Sequence, residues 1–390
     1  MTIWKRTTIE ECTDILGDGL HGTPIYDENG EYAFINGNNL INGHIVIKPE
    51  TKRVSESEYI KHGKPLSDRT ILVSINGTLG NVGTYSGEKV ILGKSACYFN
   101  VKNEINKDFI YYVVNSPEFK LYLESYATGT TIKNVSLKQM REYEFSIPDI
   151  ETQGKISSVL KMVDSKIETN ERINQNLLQQ AQSVFAKEFL SFDDTPEGWE
   201  ESSLLGIADY LNGLAMQKYR PKDNEIGLPV LKIKELRQGA CDSNSELCSP
   251  SIKSEYIIHD GDVVFSWSGS LLVDIWCGGT CGLNQHLFKV TSSTFDKWFY
   301  YAWTNHHLQK FIAIAADMAT TMGHIKREEL EKAKVIIPPQ SEYERIGKLL
   351  APIYDLVISN RIENRKLASL RDELLPKLMS GELDVSEIDL

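Results

Sequence analysis

The polar and apolar positions fall into two kinds of stretch that alternate twice along the chain. In the first kind, short apolar runs are broken by Gly, Asn and Asp, which reads as an irregular mixed α/β unit. Its predicted strands are Tyr32 to Asn36, Ile71 to Ile75, Val90 to Leu92 and Cys97 to Val101 in one copy. In the other copy they are Val230 to Ile233, Val263 to Trp267 and Leu287 to Val290. One helix per unit is expected, near Phe109 to Ser125 and near Trp298 to Ala316. The second kind of stretch is long and helical. From Glu151 to Leu190 there is no internal Pro, and 40 residues at the α-helical rise would extend about 60 Å.

Apolar residues at Leu160, Val163, Ile167, Leu177, Ala181 and Val184 follow coiled-coil spacing, and Ile353, Val357, Leu367, Leu374 and Leu378 give a second seam. Pro352 is expected to kink or split the second helix near its start, and Pro376 to mark its closing turns. Asn170 and Asn174 interrupt the first seam and Asn360 and Asn364 the second, each pair near the middle of its helix. In an antiparallel pair the four amides would meet and select the register, since a polar residue at a seam position discriminates against slipped pairings.

The alternation is a duplication. Laying 130–185 on 320–375 at a constant shift of 190 gives identities at Thr130, Thr131, Ile147, Pro148, Ile156, Leu160, Asn170, Asn174 and Leu177. Punctuation repeats as well: a Thr-Thr loop, an apolar run closed by Ile-Pro, then the long helix. Fainter echoes lie upstream. Ile71 to Thr78 recurs as Val263 to Ser270, Phe109-Ile110-Tyr111 as Phe299-Tyr300-Tyr301, and Trp4 as Trp199. The expected division is 1–150 globular, 151–195 helix, 196–340 globular, and 341–390 helix with a short acidic tail.

Composition is that of an ordinary globular chain, with 390 residues, 41% hydrophobic and 25% charged. No run of about 18 apolar residues is present, and the segment Met1 to Thr7 lacks the apolar core of a signal peptide. A cytoplasmic location is the expectation, and six dispersed cysteines suit a reducing compartment. Taken as a bulk number, the formal net charge of -12 opposes a nucleic-acid partner. However, five unbalanced acids lie in Ser191 to Glu201 and four in the last nine residues, so nine of the twelve excess charges are local. The remainder is nearly neutral and leaves room for a basic face.

Catalytic and metal motifs are weak. Gly87 to Ser95 mimics a phosphate-binding loop, but five residues separate its glycines where four are needed, and Val90-Ile91-Leu92 reads as strand. Asp149, Asp164 and Lys166 imitate the acidic pair and lysine of metal-dependent nucleases, but the second carboxylate falls on a long helix. Cys241, Cys248, Cys277 and Cys281 lack zinc-knuckle spacing and read as small buried residues. His306, His307 and His324 read as polar helix or loop positions.

Two similar units joined by two long helices resemble the specificity subunit of type I restriction-modification enzymes. The segments that carry the likeness are Gly129-Thr130-Thr131-Ile132-Lys133 leading to Ser146-Ile147-Pro148, then Gln153-Gly154-Lys155-Ile156 and Asp164-Ser165-Lys166-Ile167. Their second copies are Thr320-Thr321-Met322, Ile336-Ile337-Pro338-Pro339, Glu344-Arg345-Ile346 and Asp355. Gly22-Thr23-Pro24 and Leu378 to Leu383 resemble the family as well, whereas Met216 to Pro221 replaces the Gly-Thr-Pro turn in the second copy.

The resemblance implies two target-recognition domains in tandem, each reading one half of a bipartite, asymmetric site in double-stranded DNA. It also implies an antiparallel pair of helices that sets the gap and docks two methylase subunits. Such a subunit is not catalytic and holds no cofactor; the methylase subunits bind S-adenosylmethionine, and restriction subunits complete the nuclease. The competing expectation is a protein-interaction scaffold with a coiled-coil spacer. Base-edge readout uses amides, hydroxyls and guanidinium groups on loops, with Lys and hydroxyls holding phosphates. The candidates are His21, Thr23, Asn36, Asn38, Asn76, Thr78, Lys94, Thr130, Thr131 and Lys133 in the first copy. In the second they are Lys218, Tyr219, Arg220, Lys232, Lys234, Ser268, Gln285, His286, Thr320, Thr321, His324 and Lys326.

Overall fold

A computed structural model describes residues 4–129, 132–317 and 324–388. The chain divides into one unit of Met1–Asp164 with Ser369–Leu390 and a second of Ser165–Ala368. Thr130, Thr131, Thr320 and Thr321 lie outside the described residues.

In the first unit a sheet is built around Thr70–Ser74, whose five residues are all buried. That strand pairs antiparallel with Ala96–Val101 on one side and Val82–Thr84 on the other. Thr13–Asp18 continues the sheet beyond Ala96–Val101, and the hairpin Leu40–Ile41/Gly43–Ile45 extends it beyond Val82–Thr84. Asn42 (φ 49°) and Gly43 (φ 82°) close that hairpin, where two consecutive left-handed residues match the twist of the strands. A small second sheet places Tyr32–Ile35 between Arg53–Val54 and a parallel Val90–Leu92. Leu123, Phe109 and Phe119 fill the core against Ile71, Val73 and Phe99, with Leu375 and Leu378 from the end of the C-terminal helix.

The second unit repeats this plan. Val263–Ser266 pairs with Leu287–Thr291 and Leu272–Ile275, and Asp209–Asn212 lies beyond Leu287–Thr291. Leu228–Leu231 takes the place of Tyr32–Ile35, antiparallel to Leu247–Cys248 and parallel to Cys281–Leu283. Its core is aromatic, with Phe265, Phe299, Phe311, Trp298 and Trp303 packed on Phe185 and Phe189 of the central helix.

The helix expected near Phe109 to Ser125 is two helices, Lys107–Asn115 and Pro117–Tyr126. Pro117 has no N–H and disfavours a helical residue before it, so Ser116 leaves the helix and caps the next one by accepting from Phe119 N. The central helix spans Ile150–Phe189 and the C-terminal helix Gln340–Ser380. The expected break at Pro352 is absent. Its ring lies on an exposed face of the helix, as does Lys348, so the carbonyl that loses its partner there is on the solvent side. Past Pro376 the helix ends at Gly381 (φ 76°), and Leu383 N–H returns to the Lys377 carbonyl.

Within the second unit the helices run antiparallel, and the four asparagines meet. Asn170 Nδ2 donates to Asn364 Oδ1 at 2.8 Å, and Asn360 Nδ2 to Asn174 Oδ1 at 2.9 Å. Asn170 also reaches Glu363 Oε2 at 2.7 Å, and Asn364 Nδ2 reaches the Ile167 carbonyl at 3.2 Å.

Candidate nucleic-acid interface

In each unit the central strand of the main sheet ends in a buried serine followed by a small-residue loop. Ser74 Oγ turns back to the Thr78 carbonyl at 2.6 Å, and Ser266 Oγ to the Ser270 carbonyl at 2.9 Å. The turn each serine closes needs a left-handed residue, supplied by Gly77 (φ 79°) and Gly269 (φ 66°). A second loop lies against the first. Val135 N–H donates to the Ile75 carbonyl at 2.9 Å, and Ile325 N–H to the Trp267 carbonyl at 2.9 Å. Isolated bridges sit at the same place in both, Asn76 with Asn134 and Ser268 with His324.

Further bonds gather the remaining loops of the first unit. Ile75 N–H donates to the Ser95 carbonyl at 2.9 Å. Ser95 Oγ donates to Asn36 Oδ1 at 3.0 Å and accepts from Gly37 N–H at 2.9 Å, and Asn81 Nδ2 reaches the Gly37 carbonyl at 3.3 Å. Leu20 N–H donates to the Leu92 carbonyl at 2.7 Å, which draws in the loop carrying His21 and Thr23. The described candidates of this unit therefore lie on one connected set of loops. Asn38, Thr78, Lys94, Lys133, His21 and Thr23 are exposed, while Asn36 and Asn76 are half-buried. His21 Nε2 lies 2.7 Å from Asp18 Oδ2, and Asn76 Nδ2 donates to Asn134 Oδ1 at 3.2 Å.

The second unit gathers a narrower set. Ser268 Oγ is 3.0 Å from His286 Nδ1, and the Gln285 amide is 3.3 Å from His286 Nε2. An amide nitrogen only donates, so His286 accepts at Nε2 and donates from Nδ1 to Ser268. Trp267 lies near the rings of His286 (6.3 Å) and His324 (6.2 Å), with its indole N–H on Asn212 Oδ1 at 3.0 Å. Lys326 is exposed two residues beyond His324.

Lys232 and Arg220 share one carboxylate, at 2.5 and 3.3 Å from Glu246, and the Lys232 hydrogen bond, followed by the charges of both, holds it below the usual carboxylate range. Lys234 pairs with Asp242 at 3.3 Å. Lys218 closes a single 3-10 turn, Met216–Lys218, with Tyr219 exposed after it. Lys232 lies beside the Ser268–His286 group in the chain's hydrogen bonding, because it follows Leu231, whose carbonyl accepts from Asn284 N–H at 3.2 Å.

Sequence reasoning missed Asn134, Ser95, Asn212 and the placement of Trp267. Asn134 had a signal, because it occupies the repeat position of His324. Asn212 and Ser95 had none, since their role depends on which strands become neighbours.

The enzymatic alternatives do not assemble. Asp149 caps the central helix by accepting from Thr152 N–H at 2.9 Å, which lowers its pKa. Asp164, fifteen residues on and hence roughly 22 Å along the helix, accepts from Tyr112 Oη at 2.7 Å and Arg371 at 2.9 Å. Lys166 pairs with Glu363. Residues Val90–Leu92 are a buried strand rather than a phosphate loop. Cys241 and Cys281 hydrogen-bond to one another, which raises the Cys281 thiol, and burial pushes Cys277 up to about 11. Among the described residues no cluster of three or more His, Cys, Asp or Glu is arranged to hold a metal ion.

The sequence model of the family described as Type I restriction modification DNA specificity domain matches the chain twice, over residues 4–179 and 196–370. The chain belongs to the type I restriction-modification DNA specificity family. Its two matched segments begin 192 residues apart, which agrees with the 192-residue shift between Gly77 and Gly269.

Relatives in this family include the Type I restriction enzyme MjaIX specificity subunit of Methanocaldococcus jannaschii, 24% identical, with 99% of this chain and 94% of the relative covered. The EcoKI specificity subunit of Escherichia coli K12 is 24% identical over 83% of this chain and 77% of its own. A crystal structure of a type I restriction-modification S subunit from M. genitalium shares the fold with a TM-score of 0.57 at 16% identity, covering 97% of this chain and 96% of that one. Among the described residues no helix is long and apolar enough to cross a membrane.

Proposed function

We propose that this chain is the DNA sequence-recognition subunit of a type I restriction-modification enzyme. Residues 1–150 and 196–340 act as target-recognition domains, each reading one half of a bipartite, asymmetric site. The central and C-terminal helices set the gap between the halves and dock two methylase subunits, which carry S-adenosylmethionine and modify adenine. Restriction subunits join the same assembly. The chain does no chemistry of its own and works in the cytoplasm, where the DNA is.

One observation carries this reading: the same main-chain frame occurs twice and presents different side chains. Where the first unit has Asn76, Thr78 and Asn134, the second has Ser268, Ser270 and His324. A frame that holds base-reading groups by backbone bonds permits two unlike half-sites. The test maps methylated adenine genome-wide with the gene present and deleted, its methylase partner being expressed in both. Loss of one bipartite motif on deletion is the expected result. An unchanged map overturns the proposal and favours a protein-binding scaffold, whose association would lack the steep salt dependence of phosphate contacts.

A further inference from the structure

The second unit holds its C-terminal helix through two arginines whose repeat positions carry no arginine. Arg361 Nη1 donates to Asp274 Oδ1 at 2.7 Å and to the Ile275 carbonyl at 3.0 Å. One turn on, Arg365 grips both oxygens of Asp260 at 2.7 Å each and donates to the Cys277 carbonyl at 2.5 Å. Asp260 also accepts from Gly279 N–H at 2.8 Å. Gly279 has φ 92°, and a methyl added there would lie 3.4 Å from Arg365 Nη1, so the loop fits closely around the guanidinium.

The two arginines are about 6 Å apart along the helix, and together they seize the edge strand Leu272–Ile275 and the segment after it. A single contact would act as a pivot. A bidentate guanidinium on Asp260, together with a second guanidinium bonded to both the carboxylate and the carbonyl of the edge strand, resists both sliding and rocking. At the repeat shift of 190 residues the matching positions are Glu171 and Gln175, both exposed and neither able to make such a fork. The first domain is tied to its own helix nearer the start, by Tyr112 to Asp164 and Lys161 to Asp108.

We infer that Arg361 and Arg365 are positioning residues that fix the second recognition domain on the C-terminal helix and so restrict the enzyme to one gap length between its half-sites. This rests on the proposed function. One base pair of gap moves a half-site by about 3.4 Å along the duplex and about 34° around it. A domain that rocks on its helix by a few ångströms would accept neighbouring gaps. A clamped one rejects them without touching a base.

The experiment uses the complex of this chain with its methylase subunits and duplexes carrying the same two half-sites at the native gap and at one base pair more or less. Wild type, Arg361→Gln/Arg365→Gln, Arg365→Lys and the exchanged pair Asp260→Arg/Arg365→Asp are compared. In the double Gln variant the methylation-rate ratio of native to neighbouring gaps falls by at least about tenfold, and base preference within each half-site stays as in wild type. The exchanged pair recovers part of the ratio. An unchanged ratio in variants that melt cooperatively overturns the inference, as does a change of base preference together with the gap. Loss of methylation at every gap in both the Gln and Lys variants also overturns it, because the arginines would then serve folding or assembly. If wild type itself methylates no bipartite motif, the proposed function fails before the clamp is reached.

Discussion

The asparagine cluster between the helices of the second unit makes a quantitative prediction. Asn174 and Asn360 are 6% and 8% exposed, and their one mutual bond, Asn360 Nδ2 to Asn174 Oδ1 at 2.9 Å, is buried. Asn360→Leu leaves the Asn174 oxygen without that donor in a site from which water is largely excluded. Stranding one neutral buried acceptor costs about 1–3 kcal/mol, partly offset by the apolar surface that leucine buries. Asn174→Leu strands the Asn360 donor and should cost a similar amount. Replacing both removes the unmet polar groups together, a change expected to be nearly neutral or stabilising.

The two stranding costs add in the double-mutant cycle while the apolar gain cancels, so the coupling is expected to be favourable by about 2–6 kcal/mol. In a cooperative unit of this size each kcal/mol moves the midpoint by about 2–4 °C, so calorimetry and urea melts of the four proteins resolve it. Additive losses, with the double variant as unstable as the two singles combined, would refute the reasoning. That result would mean each amide is satisfied independently, through Val357 or solvent, and that the pair is not the unit of stability.

Other consequences are open to direct measurement. Burial lowers the His307 pKa to about 4 although its Nε2 donates to the Lys334 carbonyl at 2.9 Å. The unfolded chain therefore binds the extra proton first, and the stability held above about pH 6.5 is lost as pH falls towards 4, by about 3 kcal/mol at most. His307→Gln keeps the donor and should flatten that part of the pH–stability curve; an unchanged slope would sink the assignment. Gly93→Ala puts a methyl 2.3 Å from Asn36 Oδ1. It should weaken binding to the first half-site by roughly tenfold while leaving the second half-site unchanged, and an equal loss at both would contradict the loop geometry. Lys94→Ala and Lys133→Ala should each shallow the log–log salt dependence of DNA binding by about one unit of slope, with an unaltered slope placing those ammonium groups away from phosphate.

The duplication was legible because both its punctuation and its side-chain spacing repeat. Ser74 to Thr78 and Ser266 to Ser270 share only a serine and a glycine, yet those two residues make the turn. The seam asparagines were equally readable, since a polar residue at a helical core position has few other uses. Strands Lys5–Thr8 and Thr13–Asp18 were not. They are largely polar and half exposed, and they become strands by pairing with Glu144–Ile147 and Ala96–Val101, far along the chain. Pro352 does not split the C-terminal helix, because the hydrogen bond it removes lies on an exposed face where water can replace it. Of the candidate interface, sequence found residue types but not neighbours: that Lys232 and Arg220 share the partly exposed carboxylate of Glu246 had no signal in the sequence.

The frame explains how two halves of one chain can read unlike targets under the proposed function. The bonds that hold the loops, Val135 N to Ile75 O and Ile325 N to Trp267 O, are made by backbone atoms. A side-chain substitution beside them changes the presented chemistry without removing the support. The serine and glycine of each loop cannot be exchanged so cheaply, for one supplies the internal bond and the other the left-handed turn. It follows that within each loop tolerance to substitution alternates by role rather than by exposure. Under the proposed function, Ser74, Gly77, Ser266 and Gly269 are expected to set whether a domain reads at all, and Asn76, Thr78, Ser268 and Ser270 what it reads. Substituting Thr78 should move the preferred bases of one half-site at nearly constant stability, and substituting Ser74 should lower stability and affinity together whatever the sequence offered.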